Sequence, residues 1–186
     1  MIPVLVVVLS ITVGGGLLAR ELYRQPDPPQ QQVGNPVLAP PSNRPVTGNL
    51  PGSDVVQATQ DAANHPATFP VLSVLQTYFR AINQKNYEAW SDTVTDARRS
   101  KFSSMQFHQD YESTMDGSIL VYRIEPAAQN SLRVLVGFTS TQTVQAAPTG
   151  FPEKCIRWRL VLPMKVERGA YRIDATDNTS IEHDKC

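Results

Sequence analysis

The first nineteen residues of this chain, Met1 to Ala19, carry no charged side chain, and Ile2 to Val13 are almost wholly apolar. A run of about 18 such residues at 1.5 Å each gives roughly 27 Å of helix, close to the hydrocarbon thickness of a bilayer. Tyr23 and Arg24 follow where an aromatic ring and a cation would sit at a headgroup boundary. Residues 1–24 are therefore read as a transmembrane signal anchor. The competing reading is a cleaved signal peptide, with small residues at Gly14 to Gly16 or at Ala19. No Lys or Arg precedes its core, and Leu17 is large for the position two before a cut after Ala19; a cut after Gly15 fits better. The anchor predicts a single-pass cell-membrane protein with its C-terminal domain outside the cytoplasm; cleavage predicts a secreted one.

Arg20 and Arg24 lie after the apolar run, and the positive-inside rule would keep that flank in the cytoplasm. The cysteines argue for export. Cys155 and Cys186 are an even count in a small domain, the pattern of one structural disulfide in an oxidising compartment. Two unrelated buried thiols are the alternative.

Between Gln25 and Pro70 the composition changes: ten of the fifteen prolines fall here, and Phe69 is the only aromatic residue. Such a segment buries too little apolar surface to offset its ordering entropy. Residues 25–66 are read as a disordered proline-rich linker that holds the remainder away from the bilayer, with a short amphipathic turn around Val55 to Ala63 as a minor element.

Residues 67–186 suit one domain with its own core. They carry 14 Lys plus Arg against 13 Asp plus Glu, so the basic excess that nucleic acid demands is absent. No cofactor motif and no metal-type spacing of Cys or His occurs. Val71, Val74, Leu75, Tyr78, Phe79 and Ile82 recur at three and four residues and predict a helix with one apolar stripe. Asn86 caps a second helix expected to run through Asp96, with Tyr87, Trp90 and Val94 on one face. Ser103-Ser104-Met105-Gln106 is a capping box opening a third helix that presents Phe107 and Tyr111. After Gly117 the period changes to two. Leu132, Val134, Val136 and Phe138 form one apolar face, and Ile156, Trp158, Leu160 and Leu162 another; shorter strands are expected at Ser118 to Glu125, Ser140 to Gln145 and Tyr171 to Ala175. Three helices followed by antiparallel strands predict an α+β class, with the helices covering a curved antiparallel sheet.

Tyr78-Phe79-Arg80-Ala81-Ile82-Asn83, then Asn86-Tyr87 and Trp90, resembles the helix-turn-helix opening of the nuclear transport factor two-like superfamily, the cone-shaped fold of SnoaL-type cyclases and ketosteroid isomerases. The chain looks most similar to exported or membrane-anchored actinobacterial members, in which a Cys-x-x-Trp strand such as Cys155-Ile156-Arg157-Trp158 pairs with a late cysteine. The resemblance implies an apolar cavity under the sheet and pairing of two copies through the open sheet. It does not imply an activity.

An isomerase of that kind needs an unpaired carboxylate inside the cone as base. Where the family places it, this chain reads Thr95-Asp96-Ala97-Arg98-Arg99-Ser100-Lys101, in which Asp96 is expected to be a paired surface acid. His108 and Asp110, two apart on a helix, diverge, and His183-Asp184 is expected to be a solvated tail. Tyr78, Trp90, Phe107, Tyr111, Tyr122 and Trp158 are candidate cavity-lining residues, although core packing explains them equally well. Asn178-Thr179-Ser180 matches a glycosylation acceptor, relevant only in a eukaryotic secretory route. Two functions follow as expectations. The first is a non-catalytic, membrane-tethered extracytoplasmic module that binds an envelope protein partner or a small apolar ligand, as the similar core domain of type IV secretion assemblies does. The second is a cone-fold isomerase or cyclase acting on a lipophilic molecule; the lack of a visible base favours the first.

Overall fold

The apolar stripe beginning at Val71 sits on the longest helix of a computed structural model that describes residues 50–176 and 181–186. The leader, most of the linker and the Asn178-Thr179-Ser180 triplet lie outside the described residues. Among the described residues no helix is long and apolar enough to cross a membrane. In chain order the elements are β1 (Gln57–Ala58), α1 (Gln60–Ala63), α2 (Thr68–Asn83), α3 (Tyr87–Ser91), α4 (Asp96–Arg99), α5 (Ser104–Tyr111), β2 (Met115–Ala127), β3 (Ser131–Thr141), β4 (Cys155–Glu167), β5 (Ala170–Ile173) and β6 (Ile181–Lys185). The class is α+β.

On α2, Val71, Leu72, Leu75, Tyr78, Phe79 and Ile82 are buried, while Val74 is only partly covered. The stripe is thus one position wider on the Leu72 side than the spacing implies. Lys85 ends the helix in the left-handed region, φ 59°, where glycine is usual. Its ammonium compensates by donating to the Ile82 carbonyl at 3.1 Å and to the Thr114 carbonyl, which ties the helix end to the start of β2.

The helix expected from Asn86 through Asp96 is two short ones. Asn86 does cap α3, accepting from the Ala89 N–H at 3.0 Å. Ser91 and Thr93 then turn their hydroxyls back onto the Glu88 and Trp90 carbonyls, offering the backbone a non-helical alternative. Thr93 to Thr95 run extended beside β5, with the Ile173 N–H bonded to Thr93 and the Thr95 N–H bonded to Ile173. Thr95 next caps α4 by accepting from the Arg98 N–H. At α5, Ser103 accepts from the Gln106 N–H, but the Gln106 amide bonds Asp110 instead of closing the box.

The sheet is mixed rather than wholly antiparallel, because β1 runs parallel to β2. β2, β3 and β4 are antiparallel neighbours, and both β5 and β6 pair with β4. β5 takes Met164 to Glu167 and β6 takes Ile156 to Leu160. The β3–β4 register sets Val134 opposite Leu162, Val136 opposite Leu160 and Phe138 opposite Trp158, so the two apolar faces predicted from period two form one surface. Of the strand expected at Ser140 to Gln145 only Ser140 and Thr141 are extended, as the end of β3, and Val144 to Ala146 form a 3-10 turn; no sequence pattern announces β6. It is fastened by a disulfide between Cys155 and Cys186, whose Cα atoms are 5.4 Å apart. A bridge at a sequence separation of 31 contributes roughly 3 to 4 kcal/mol in the chain-entropy model.

The packed body takes in residues that precede Ala67. Val56, Ala58 and Ala62 are buried in the main core, and the Gln76 amide bonds the backbone of both Asp54 and Val56. A chain beginning at Ala67 should therefore be less stable than one beginning at Leu50 by about 3 kcal/mol or more, from the apolar surface it leaves uncovered. Urea unfolding of the two chains checks this; equal midpoints would show that β1 and α1 are ornamental.

Candidate ligand cavity

A cavity of about 700 Å³ opens between α2, α5 and the inward face of β3 and β4. Its apolar wall comes from Phe79 and Ile82 of α2, Phe138 of β3, and Trp158, Leu160 and Leu162 of β4. These follow from the two periodicities, the α2 stripe on one side and the paired strand faces on the other. The polar side of the lining includes Tyr78, Arg98, Tyr111, Asp116 and Ser140, and Gln109, Asp110, Thr114, Gln142, Gln145 and Thr176 stand around it as well.

Asp116 is placed there by an irregularity in β2. Ile119 and Val121 face inward, so simple alternation would send Asp116 outward. Instead the register slips between Gly117 and Leu120: Ser118 and Ile119 together oppose one residue of β3. Ser118 adopts φ 51°, and its N–H bonds the Ser53 carbonyl at 2.7 Å. The extra residue reverses the alternation and turns Asp116 inward, directly across from Ser140. Gly117 is required at this place, because a Cβ there would lie 2.5 Å from the Gly52 carbonyl oxygen.

Asp116 is only 3 % exposed. Asn83, at the end of α2, grips its backbone twice, accepting from its N–H at 2.7 Å and donating to its carbonyl at 2.9 Å. The Ser140 hydroxyl donates to Oδ1 of the carboxyl; among the described residues nothing donates to Oδ2. Burial pushes the Asp116 carboxyl up to about 6, against the opposing pull of the Ser140 hydrogen bond and of the Lys85 cation. Lys85 is lowered by its own partial burial, with the Asp116 charge working the other way.

At the other pole of the cavity, the Arg98 guanidinium donates to the Tyr78 hydroxyl at 3.0 Å and to the Asp174 backbone carbonyl at 3.3 Å. It also lies 5.5 Å from the Tyr78 ring centre and 5.8 Å from that of Trp90. Tyr111, also in the lining, shares a hydrogen bond with Tyr78 and senses the charges of both Arg98 and Asp116. Burial raises its phenol well above the ordinary tyrosine value, so it is a hydrogen-bond donor at any physiological pH.

Of the six aromatic residues expected to line a cavity, Tyr78, Tyr111 and Trp158 do so. Trp90 and Phe107 instead pack with Tyr87 and Phe102 into an aromatic cluster behind it, where the Trp90 indole N–H has no partner among the described residues. Tyr122 lies on the opposite face, 44 % exposed, with its ring against Gly137. It is the extra residue of a second bulge, between Val121 and Arg123, which is why two consecutive residues there point outward. Asp96 is exposed and paired with Arg99 at 2.6 Å and with Arg168. His108 is exposed, and its neighbour Asp110 holds Gln106. His183 belongs to β6, with its ring 5.2 Å from that of Trp158 and 4.6 Å from that of Phe151. Among the described residues no three His, Cys, Asp or Glu side chains converge to hold a metal ion.

Asp116, Ser140 and Arg98 went unnoticed as site residues. The only sequence signal for Asp116 was the Gly117-Ser118 pair just where the strand pattern begins. No protein-family model matches the chain, and no curated protein is similar enough to be matched to it.

The folded-state value of Asp116 lies above its ordinary one, so the native state binds more protons than the unfolded state between about pH 4 and pH 6. Stability therefore falls as pH rises through that window, by up to about 3 kcal/mol. Asp116→Asn removes the charge and keeps the acceptor for Ser140, and should stabilise the protein by about 1 to 3 kcal/mol at pH 8 with little effect at pH 4. Thermal melts of both proteins at the two pH values measure it; a gain independent of pH would mean that the carboxylate is not the penalised group.

Proposed function

We propose that this domain takes a small, mostly apolar molecule into its cavity and works outside the cytoplasm, tethered to the membrane by its leader. The observation that carries the binding reading is the cavity itself: its volume falls in the range of small-molecule sites, about 300 to 1,000 Å³, and an aromatic and aliphatic wall on α2, β3 and β4 faces a side rich in polar groups. A buried carboxylate kept at a cost to stability supports a functional role for the same place. The disulfide supports the location, since such bonds persist in oxidising compartments. Helices preceding the sheet, and the cavity between them, support membership of the cone-shaped nuclear transport factor two-like folds.

The second reading is proton transfer on a lipophilic ketone, and Asp116 is the observation that favours it. A buried carboxylate near 6 is ionised at neutral pH yet more basic than a surface acid, as a general base requires. Binding ranks first because it needs only the cavity. Turnover also needs a free base, and Ser140 and Lys85 already engage Asp116.

A neutral apolar fluorophore such as Nile red should bind the chain beginning at Leu50 saturably, with one site and with quenching of Trp158. Leu160→Trp fills the cavity from its wall and should weaken that binding at least tenfold. Unchanged affinity would remove the cavity reading. Isomerisation of a β,γ-unsaturated ketone that vanishes in Asp116→Asn would put the enzyme first. Alkylation of thiols in the native host, followed by electrophoresis with and without reductant, tests the location; two free thiols there would oppose it.

A further inference from the structure

We propose that the molecule bound in the cavity is an amphiphile with a carboxylate head, and that Arg98 receives that head. This rests on the binding reading above and names its chemical class.

Among the described residues Arg98 is a cation with no carboxylate paired to it. Its protein partners are the Tyr78 hydroxyl, the Asp174 backbone carbonyl and two aromatic rings, all of them neutral. No carboxylate among the described residues forms an ion pair with it. The neighbouring acids are committed elsewhere: of those that line the cavity, Asp110 accepts from Gln106 and Asp116 from Ser140. Asp96 pairs with Arg99 and Arg168, and the Asp174 carboxylate takes Lys165 at 2.5 Å and the Thr95 hydroxyl at 2.9 Å. A guanidinium does not shed its proton when it is desolvated; burial works against the Arg98 charge and the Asp174 carboxylate favours it without pairing with it, so a direct anionic partner is still lacking among the described residues. Of its five N–H groups two are used, which leaves three without an acceptor among the described residues, on a side chain that lines the cavity.

The neighbours suit an anionic head. Tyr78 uses an oxygen lone pair to accept from Arg98, which leaves its own proton to donate. Tyr111 beside it stays protonated and shares a hydrogen bond with Tyr78, so the two phenols together keep one proton to donate. A planar carboxylate matches the forked guanidinium, and one negative charge matches one cation. A phosphate dianion would bring a second charge into a cavity that also holds Asp116. The part of the wall formed by β3 and β4, Phe138, Trp158, Leu160 and Leu162, is largely apolar and suits a hydrocarbon or ring system behind the head.

The test uses the full chain held in a non-ionic amphipol, with intrinsic tryptophan fluorescence as the readout because Trp158 is part of the wall. Dodecanoate should bind at least tenfold more tightly than dodecanol at pH 8. Arg98→Met should bring dodecanoate down to the affinity that the same variant shows for dodecanol, while Arg98→Lys should keep a part of the preference. The comparison of the two ligands on the natural chain needs no variant, so misfolding of Arg98→Met does not blunt it. Equal affinities for the acid and the alcohol overturn the proposal and leave the cavity reading standing. Binding of neither overturns both. Tighter binding of dodecyl phosphate than of dodecanoate overturns the carboxylate assignment.

Discussion

Two hydrogen bonds from the Asn83 side chain to the backbone of Asp116 hold the arrangement together. They join the last turn of α2 to the first residues of β2, the place where the long helix and the sheet must be set at a fixed separation. Lys85 adds a third tie from the same helix end to the Thr114 carbonyl. With that corner pinned, α2 lies over β3 and β4 at the distance that leaves a cavity rather than a closed core. A side-chain amide suits the task, because it supplies a donor and an acceptor and so satisfies both the N–H and the C=O of Asp116, just before the bulge.

The strongly periodic parts of the fold were legible in the sequence. The α2 stripe and the inward faces of β3 and β4 depend on one repeated choice of residue, and the structure adds only the register that lays Phe138 beside Trp158. What could not be read were the places where the period breaks. Asp116 and Tyr122 both lie on β2, and each of its two bulges reverses which side faces the core. The first reversal hides a buried carboxylate, and the second exposes a tyrosine that the pattern assigns to the interior. Val94 misled in a different way: its burial is real, but it comes from pairing with Ile173 in an extended segment, not from a helix face. The stretch from Val56 to Ala62 reads as linker because its residues are small or polar, and its burial depends on a parallel pairing with β2 that no local signal announces.

The electrostatics of the cavity explain why so much of the polar machinery escaped notice. An ionisable residue is usually recognised as functional by proximity to another in sequence, and here the decisive groups come from α2, α4, α5, β2 and β3. Arg98 reaches the cavity only because α3 stops early. The extended segment after it pairs with β5, and Thr95 then caps a four-residue helix that aims the guanidinium at Tyr78. A continuous helix through Asp96 would have carried that side chain to a different face.

The cavity holds a buried carboxylate and a guanidinium that do not pair with each other. A protein under selection for stability alone would bring them together or replace both with apolar residues, since buried ionic groups are often less stabilising than hydrocarbon of the same volume. Pairing them here would draw the wall inward and fill the space between. Tyr111, which lines the same cavity and senses both charges, remains neutral. The arrangement therefore gives up stability to keep two unlike charges at separate points of an apolar chamber. That asymmetry fixes the direction of an entering molecule more strongly than it fixes the molecule's size: an anionic end is drawn to Arg98 and repelled from Asp116, and it will be drawn more evenly once Asp116 is protonated.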